Sequence, residues 1–209
     1  MTDITRSGFL KKAAVGGGAA VAAGAAVGLL AGPAAAAPTE QDLAWVRFAI
    51  TAEAVSVAYY ARARTVGGWS GDERRALERC TATQVAHRNA FRKALVDLKE
   101  AALDPADLEV ELPDAAFASR TAAITLGRRI EGLLLHGYLG ALATITHAGV
   151  RRLFAQTAAS ESAQLTWLSV LQGRVLTDPF PSVHGIETAA VCANSRRTPA
   201  WVMVARAPR

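Results

Sequence analysis

Four stretches of this chain repeat apolar residues at alternating three- and four-residue intervals, and each breaks the repeat at its centre with polar side chains. That spacing is the stripe of an α-helix that buries one face against other helices. The first stripe, from the cap residue Thr39 to about Arg64, reads Leu43, Val46, Ile50, Glu53, Val57, Tyr60. The second, over about 71–102, reads Leu77, Cys80, Gln84, His87, Phe91, Ala94, Leu98. The third, from Ser119 to about Ile145, reads Ile124, Gly127, Glu131, Leu134, Tyr138, Ala141, Ile145. The fourth, over about 150–172, reads Val150, Phe154, Thr157, Glu161, Gln164, Leu168, Leu171. Two stripes thus carry one central Glu. The other two carry a polar pair spaced i, i+3, one turn apart on one face.

The connections order these helices. "TVGGWSGD" (65–72) and "THAG" (146–149) are short turns, and Ser70 is placed to cap the second helix. Between the second and third helices, "LDPADLEVELPDAAFA" (103–118) holds two prolines and several acids without a helical period. Short connections make antiparallel neighbours, whereas a long one can run the length of a bundle. The expected fold class is all-α: a four-helix bundle of about residues 40–173 with a long crossover between helices two and three, then a short C-terminal helix near 182–194. A hydrophobic content of 51% with only 6% aromatics agrees with closely packed helices rather than a sheet sandwich.

The ends read differently. "TRSGFLKK" (5–12) is a basic start, "AAVGGGAAVAAGAAVGLL" (13–30) a weakly apolar stretch, and "AGPAAAAP" (31–38) offers cleavage after Ala36. Residues 1–37 are therefore expected to be an export signal, residues 38–194 the bundle domain, and 195–209 a loose tail. Phe9-Leu10-Lys11 and the Gly/Ala-rich stretch favour a twin-arginine route, while Ser7 stands where that signal has its second arginine, so Sec export is the alternative. Membrane attachment is expected only if the signal stays uncut; the stretch is more Gly-interrupted than a spanning helix. Arg6, Lys11, Lys12 and Asp3 leave with the first 36 residues, so 20 basic residues then face 17 acidic ones, a net +3. A charge that small and scattered argues against a nucleic-acid partner. Oligomeric state is not legible. In an oxidising compartment Cys80 and Cys192 are allowed a disulfide, although spacing does not bring them together.

At this point the residues resemble the ferritin-like superfamily, whose di-metal bundles use one Glu from each of two helices and a Glu-x-x-His from each of the other two. Glu53 and Glu131 match the single glutamates, Gln84 and His87 fall on one Glu-x-x-His, and Glu161 and Gln164 fall on the other. More narrowly, "FASRTAAITLGRRIEGLLLHGYLGAL" (117–142) and "DPFPSVHGIETA" (178–189) resemble exported ferritin-like domain proteins related to desiccation-related proteins. The resemblance implies metal ligands at Glu53, His87, Glu131 and Glu161, with Gln84 and Gln164 as degenerate ligand positions and no assigned catalytic residue. Glu53, His87 and Glu161 form a two-carboxylate, one-imidazole set suited to one transition-metal ion, Fe²⁺, Mn²⁺ or Zn²⁺. The second position has only an amide at Gln164, so a complete di-iron centre is not expected.

The function this implies is an exported metal-binding protein concerned with iron or with oxidative or drying stress. The alternative is a metal-free scaffold or interaction protein. In that case three buried carboxylates must pair or protonate, and Arg128, three residues before Glu131, is placed to neutralise it. Tyr60 and Tyr138 read as core tyrosines of the adjoining layer. His136 and His147 are off the stripes and expected at the surface, and His184 has no assigned partner.

Overall fold

The computed structural model describes residues 37–104 and 108–173 and the backbone of 203–206. The expected signal, the short helix near 182–194, His184 and Cys192 lie outside the described residues. α1 (Glu40–Ala63) starts at Thr39, whose hydroxyl accepts the Asp42 amide at 3.1 Å while Asp42 accepts the Thr39 amide at 2.9 Å. α2 (Gly71–Asp97) starts with the same reciprocal box between Ser70 and Glu73. It ends at Asp97 rather than near residue 102. Lys99 turns into the left-handed region at φ 66°, and the amides of Lys99 and Glu100 fold back onto the carbonyls of Val96 and Leu95. This is a Schellman ending, hidden in the sequence because a lysine rather than a glycine occupies the left-handed position.

Ser119 caps α3 (Arg120–Thr144), and His147 caps α4 (Ala148–Leu171) by accepting the Val150 amide on Nδ1 at 3.2 Å. His147 is therefore buried, not at the surface: its ring nitrogen satisfies an amide that the first turn leaves unpaired. The turn before it is fastened to α1 by the buried Asp42, which accepts the Thr146 amide and hydroxyl, both at 2.8 Å, and the His147 amide at 3.3 Å.

α1 packs chiefly on α2, and α3 on α4; the two hairpins join through α1–α3 and α2–α4. Arg120, opening α3, pairs at 2.5 Å with Glu73, opening α2. Trp45, early in α1, donates to Thr144 at the end of α3 at 2.8 Å. So α3 runs parallel to α2 and antiparallel to α1, and the α2–α3 connection spans the length of the bundle. Arg62 ties that connection to α1 by donating to the Leu112 carbonyl at 3.0 Å, pairing with Asp114, and lying 4.3 Å from the centre of the Phe117 ring. The connection contains β1 (Leu108–Glu111) and a 3-10 turn, Asp114–Phe117. β1 pairs antiparallel with β2 (Met203–Arg206), Leu108 opposite Arg206 and Glu111 opposite Met203. The sequence reading leaves both segments without regular structure; four residues are too few to display a strand period. Among the described residues no helix is long and apolar enough to cross a membrane.

Two aromatic groups fill the core. Phe91, Tyr138 and Phe154 meet with ring centroids 5.0–5.9 Å apart. Tyr59 and Tyr60 meet at 4.8 Å. Tyr59 is fully buried although it lies off the first stripe, while Val57 on the stripe is half-buried. The reason is Gly127. Tyr59 donates to the Ala123 carbonyl at 2.9 Å across the bare glycine, where a Cβ would come within 2.1 Å of the hydroxyl.

Candidate metal centre

The six mid-stripe residues meet in one layer of the core. Glu53, Gln84, Glu131 and Glu161 are completely buried, and His87 and Gln164 nearly so. Helical periodicity brings them there: a residue that interrupts an inward stripe must itself face inward. His87 Nδ1 lies 2.9 Å from Glu161 Oε1, 3.7 Å from Glu53 Oε1 and 3.2 Å from Gln84 Oε1. The amide nitrogen of Gln84 donates among Glu161 Oε2 at 3.0 Å, Gln164 Oε1 at 3.2 Å and Glu131 Oε1 at 3.3 Å.

Two further hydroxyls enter the layer. Tyr138 donates to Glu53 Oε1 at 2.5 Å, and Ser56 donates to Glu131 Oε1 at 2.9 Å. The sequence reading places Tyr138 in the adjoining core, which is correct for its ring, but does not connect its hydroxyl to Glu53. Ser56 is not singled out at all, although it lies one turn beyond Glu53 and so shares its face. Tyr60 is also in the core; its hydroxyl makes no hydrogen bond of normal geometry. The guanidinium of Arg128, expected beside Glu131, donates to Ser169 on α4 at 3.1 Å and to Gln172, the residue that caps that helix. His136 is half-buried rather than at the surface.

Burial dominates the electrostatics, and neighbours then separate the groups. Burial, with the Glu161 charge, pushes Glu53 up to about 7, partly opposed by His87 and Tyr138. Burial and Glu161 hold Glu131 well above the usual carboxylate range. Glu161 is equally buried, yet the adjoining Glu131, His87 and Gln84 keep it below its ordinary value. His87 rises to about 10 because Glu53 and Glu161 outweigh the opposing effect of burial. Without an ion these shifts favour the charged forms of Glu161 and His87 and the protonated forms of Glu131 and Glu53. Burial, with Glu131, pushes the Cys80 thiol up to about 12, which keeps it protonated.

The donor set fits a metal ion. Glu53, His87 and Glu161 present one carboxylate oxygen each and a ring nitrogen, all within 4.8 Å of one another. Metal–ligand bonds of about 2.0–2.2 Å place neighbouring ligands about 3.0–3.5 Å apart, so the 2.9 and 3.7 Å contacts of His87 Nδ1 bracket that separation. Glu53 Oε2 and Glu161 Oε1 have no hydrogen bond of good geometry, even though the latter lies 2.9 Å from His87 Nδ1. Close approach of buried donors without hydrogen-bond alignment is what a ligand shell requires and what a plain polar core avoids. A sequence profile of the ferritin-like domain matches residues 41–174, more than half of the chain.

The chain belongs to the ferritin-like domain family. Searches among curated proteins and among solved structures return no match. As a ferritin-like domain it keeps glutamates on α1 and α3 and one complete carboxylate–imidazole–carboxylate corner. At two of the six inward positions it has the amides of Gln84 and Gln164.

Proposed function

We propose that this ferritin-like protein holds one divalent transition-metal ion on Glu53, His87 and Glu161, and serves outside the cytoplasm in iron handling or in protection against oxidative or drying stress. The observation that carries the reading is the buried convergence of those three donors within 4.8 Å. Two carboxylates and one imidazole are hard-to-borderline donors, suited to Fe²⁺, Mn²⁺ or Zn²⁺. Such an ion would supply Lewis-acid or one-electron chemistry to the bundle core. Export rests on the basic start, the Gly/Ala-rich stretch and Ala34-Ala35-Ala36.

Metal analysis of protein purified without a chelating tag tests the first part: about one ion per chain is expected, and none under reducing, metal-replete conditions would refute it. Mass spectrometry of the extracytoplasmic fraction tests the second. An N-terminus near Ala37 supports export with cleavage, and an intact Met1 on most molecules refutes it. One observation favours a second reading, a metal-free scaffold: the layer can balance its own charges, with His87 against Glu161 and a proton on Glu131. The same metal analysis separates the two.

A further inference from the structure

The two ends of the Gln84 amide do different work. Its nitrogen lies within 3.0–3.3 Å of three oxygens, from Glu131, Glu161 and Gln164. Glu131 and Gln164, with a share of Glu161, are what remains for a second ion once Glu53, His87 and Glu161 are assigned to the first. Its oxygen lies 3.2 Å from His87 Nδ1, the same nitrogen that lies 2.9 Å from Glu161 Oε1 and 3.7 Å from Glu53 Oε1. The carboxylate of Glu161 can only accept, so the N–H₂ end must face Oε2 and the carbonyl end must face His87.

A carboxylate at this position would offer an oxygen to each side and could bridge two cations. An amide has one acceptor end and one donor end. The donor end sets two partly positive hydrogens among three oxygens, where a second cation would otherwise be held.

We infer that Gln84 fixes the centre as a one-ion site: its carbonyl oxygen completes the Glu53–His87–Glu161 shell as a fourth, neutral ligand, and its N–H₂ group substitutes for the second ion. This rests on the single-ion reading above.

The test compares the full-length wild type with Gln84→Glu and Gln84→Leu. Mn²⁺ and Zn²⁺ stoichiometry and affinity are measured by competition titration and native mass spectrometry, with circular dichroism to confirm the bundle and electron paramagnetic resonance of the Mn²⁺ forms. The wild type should bind one ion and give an isolated-Mn²⁺ spectrum. Gln84→Glu should bind two and give the spectrum of a coupled pair. Gln84→Leu should still bind one ion, about tenfold more weakly, because a neutral ligand and its orientation are lost. One ion in a folded Gln84→Glu, or two in the wild type, overturns the inference and leaves Glu53, His87 and Glu161 as a metal site. If Gln84→Glu does not fold, unchanged affinity in Gln84→Leu overturns it instead. No ion in the wild type overturns the single-ion reading and this inference together.

Discussion

Tyr138→Phe removes one oxygen atom and little else. The ring stays between Phe91 and Phe154, at centroid distances of 5.9 and 5.4 Å. What is lost is the 2.5 Å hydrogen bond to Glu53 Oε1. A buried hydrogen bond to a charged acceptor contributes about 1.5–3 kcal/mol, or roughly a 10- to 150-fold change in an equilibrium constant. Without an ion, Glu53 titrates near 7 and this hydrogen bond is one of the contacts that lower it. Its loss raises Glu53 further, so at neutral pH an incoming ion must more often displace a proton. The metal-free protein should lose only about 1 kcal/mol, because a partly protonated Glu53 makes a weaker hydrogen bond. Competition titration with Zn²⁺ near neutral pH should show binding weaker by about 10- to 100-fold, with part of the loss recovered in mild alkali. A thermal melt of the metal-free variant should move by only a few degrees. Unchanged Zn²⁺ affinity and unchanged pH dependence would refute the assignment and make Tyr138 a core ring whose hydroxyl merely finds an acceptor.

Four further substitutions probe the ion-binding layer and two other contacts of the bundle. His87→Ala should abolish ion binding while Glu131→Gln weakens it far less, because only His87 belongs to the group converging within 4.8 Å; equal losses in titration would show that both positions share one ion. Asp42→Asn should cost about 2 kcal/mol in denaturant unfolding, since the carboxylate accepts from Thr39, Thr146 and His147. Burial opposes its charge, but the hydrogen bonds from Thr39 and Thr146 hold Asp42 below its ordinary value, so its contribution is complete above that value and fades as pH falls; the gap between wild type and variant should close in acid. Gly127→Ala should cost about 1–3 kcal/mol by overpacking, because the new methyl falls 2.1 Å from the Tyr59 hydroxyl, and an unchanged melt would mean that Tyr59 swings aside freely.

The bundle was legible because its determinants are periodic. An inward stripe with Glu53, His87, Glu131 or Glu161 at its centre can place those side chains only in the core, and loop lengths then fix the order of the helices. Where a feature depends on one local contact, the stripe is silent. Lys99 ends α2 by a backbone conformation that its side chain does not advertise. His147 and Asp42 are buried because turns need acceptors, not because either lies on a stripe. Tyr138 stands seven residues beyond Glu131, which fixes its face but not the direction of its hydroxyl, and that direction makes it a partner of Glu53 on another helix. The Gln84 amide could be read as a lost carboxylate, whereas the opposite roles of its two ends are visible only with both neighbouring helices in place.

The layer can be close to neutral with an ion and without one, which is why residue types alone do not separate a metal centre from a polar core. Without an ion, the His87 imidazolium faces the Glu161 carboxylate, Glu131 keeps its proton and Glu53 is partly ionised. With a divalent ion on Glu53, Glu161 and a neutral imidazole, the charges again cancel. The two states differ in protons. Burial and neighbouring charge hold His87 at about 10 and Glu53 at about 7, so near neutral pH His87 gives up a whole proton on binding and Glu53 a fraction of one. Calorimetry in buffers of different ionisation enthalpy should therefore detect about one to two protons released per ion, and affinity should fall about tenfold per proton for each pH unit of acidification. The sign follows from protons competing with the ion: both groups must be deprotonated to act as ligands, so acid weakens binding. An ion held by exposed carboxylates, already ionised, would release almost no protons near neutral pH, and that result would move the binding away from this layer.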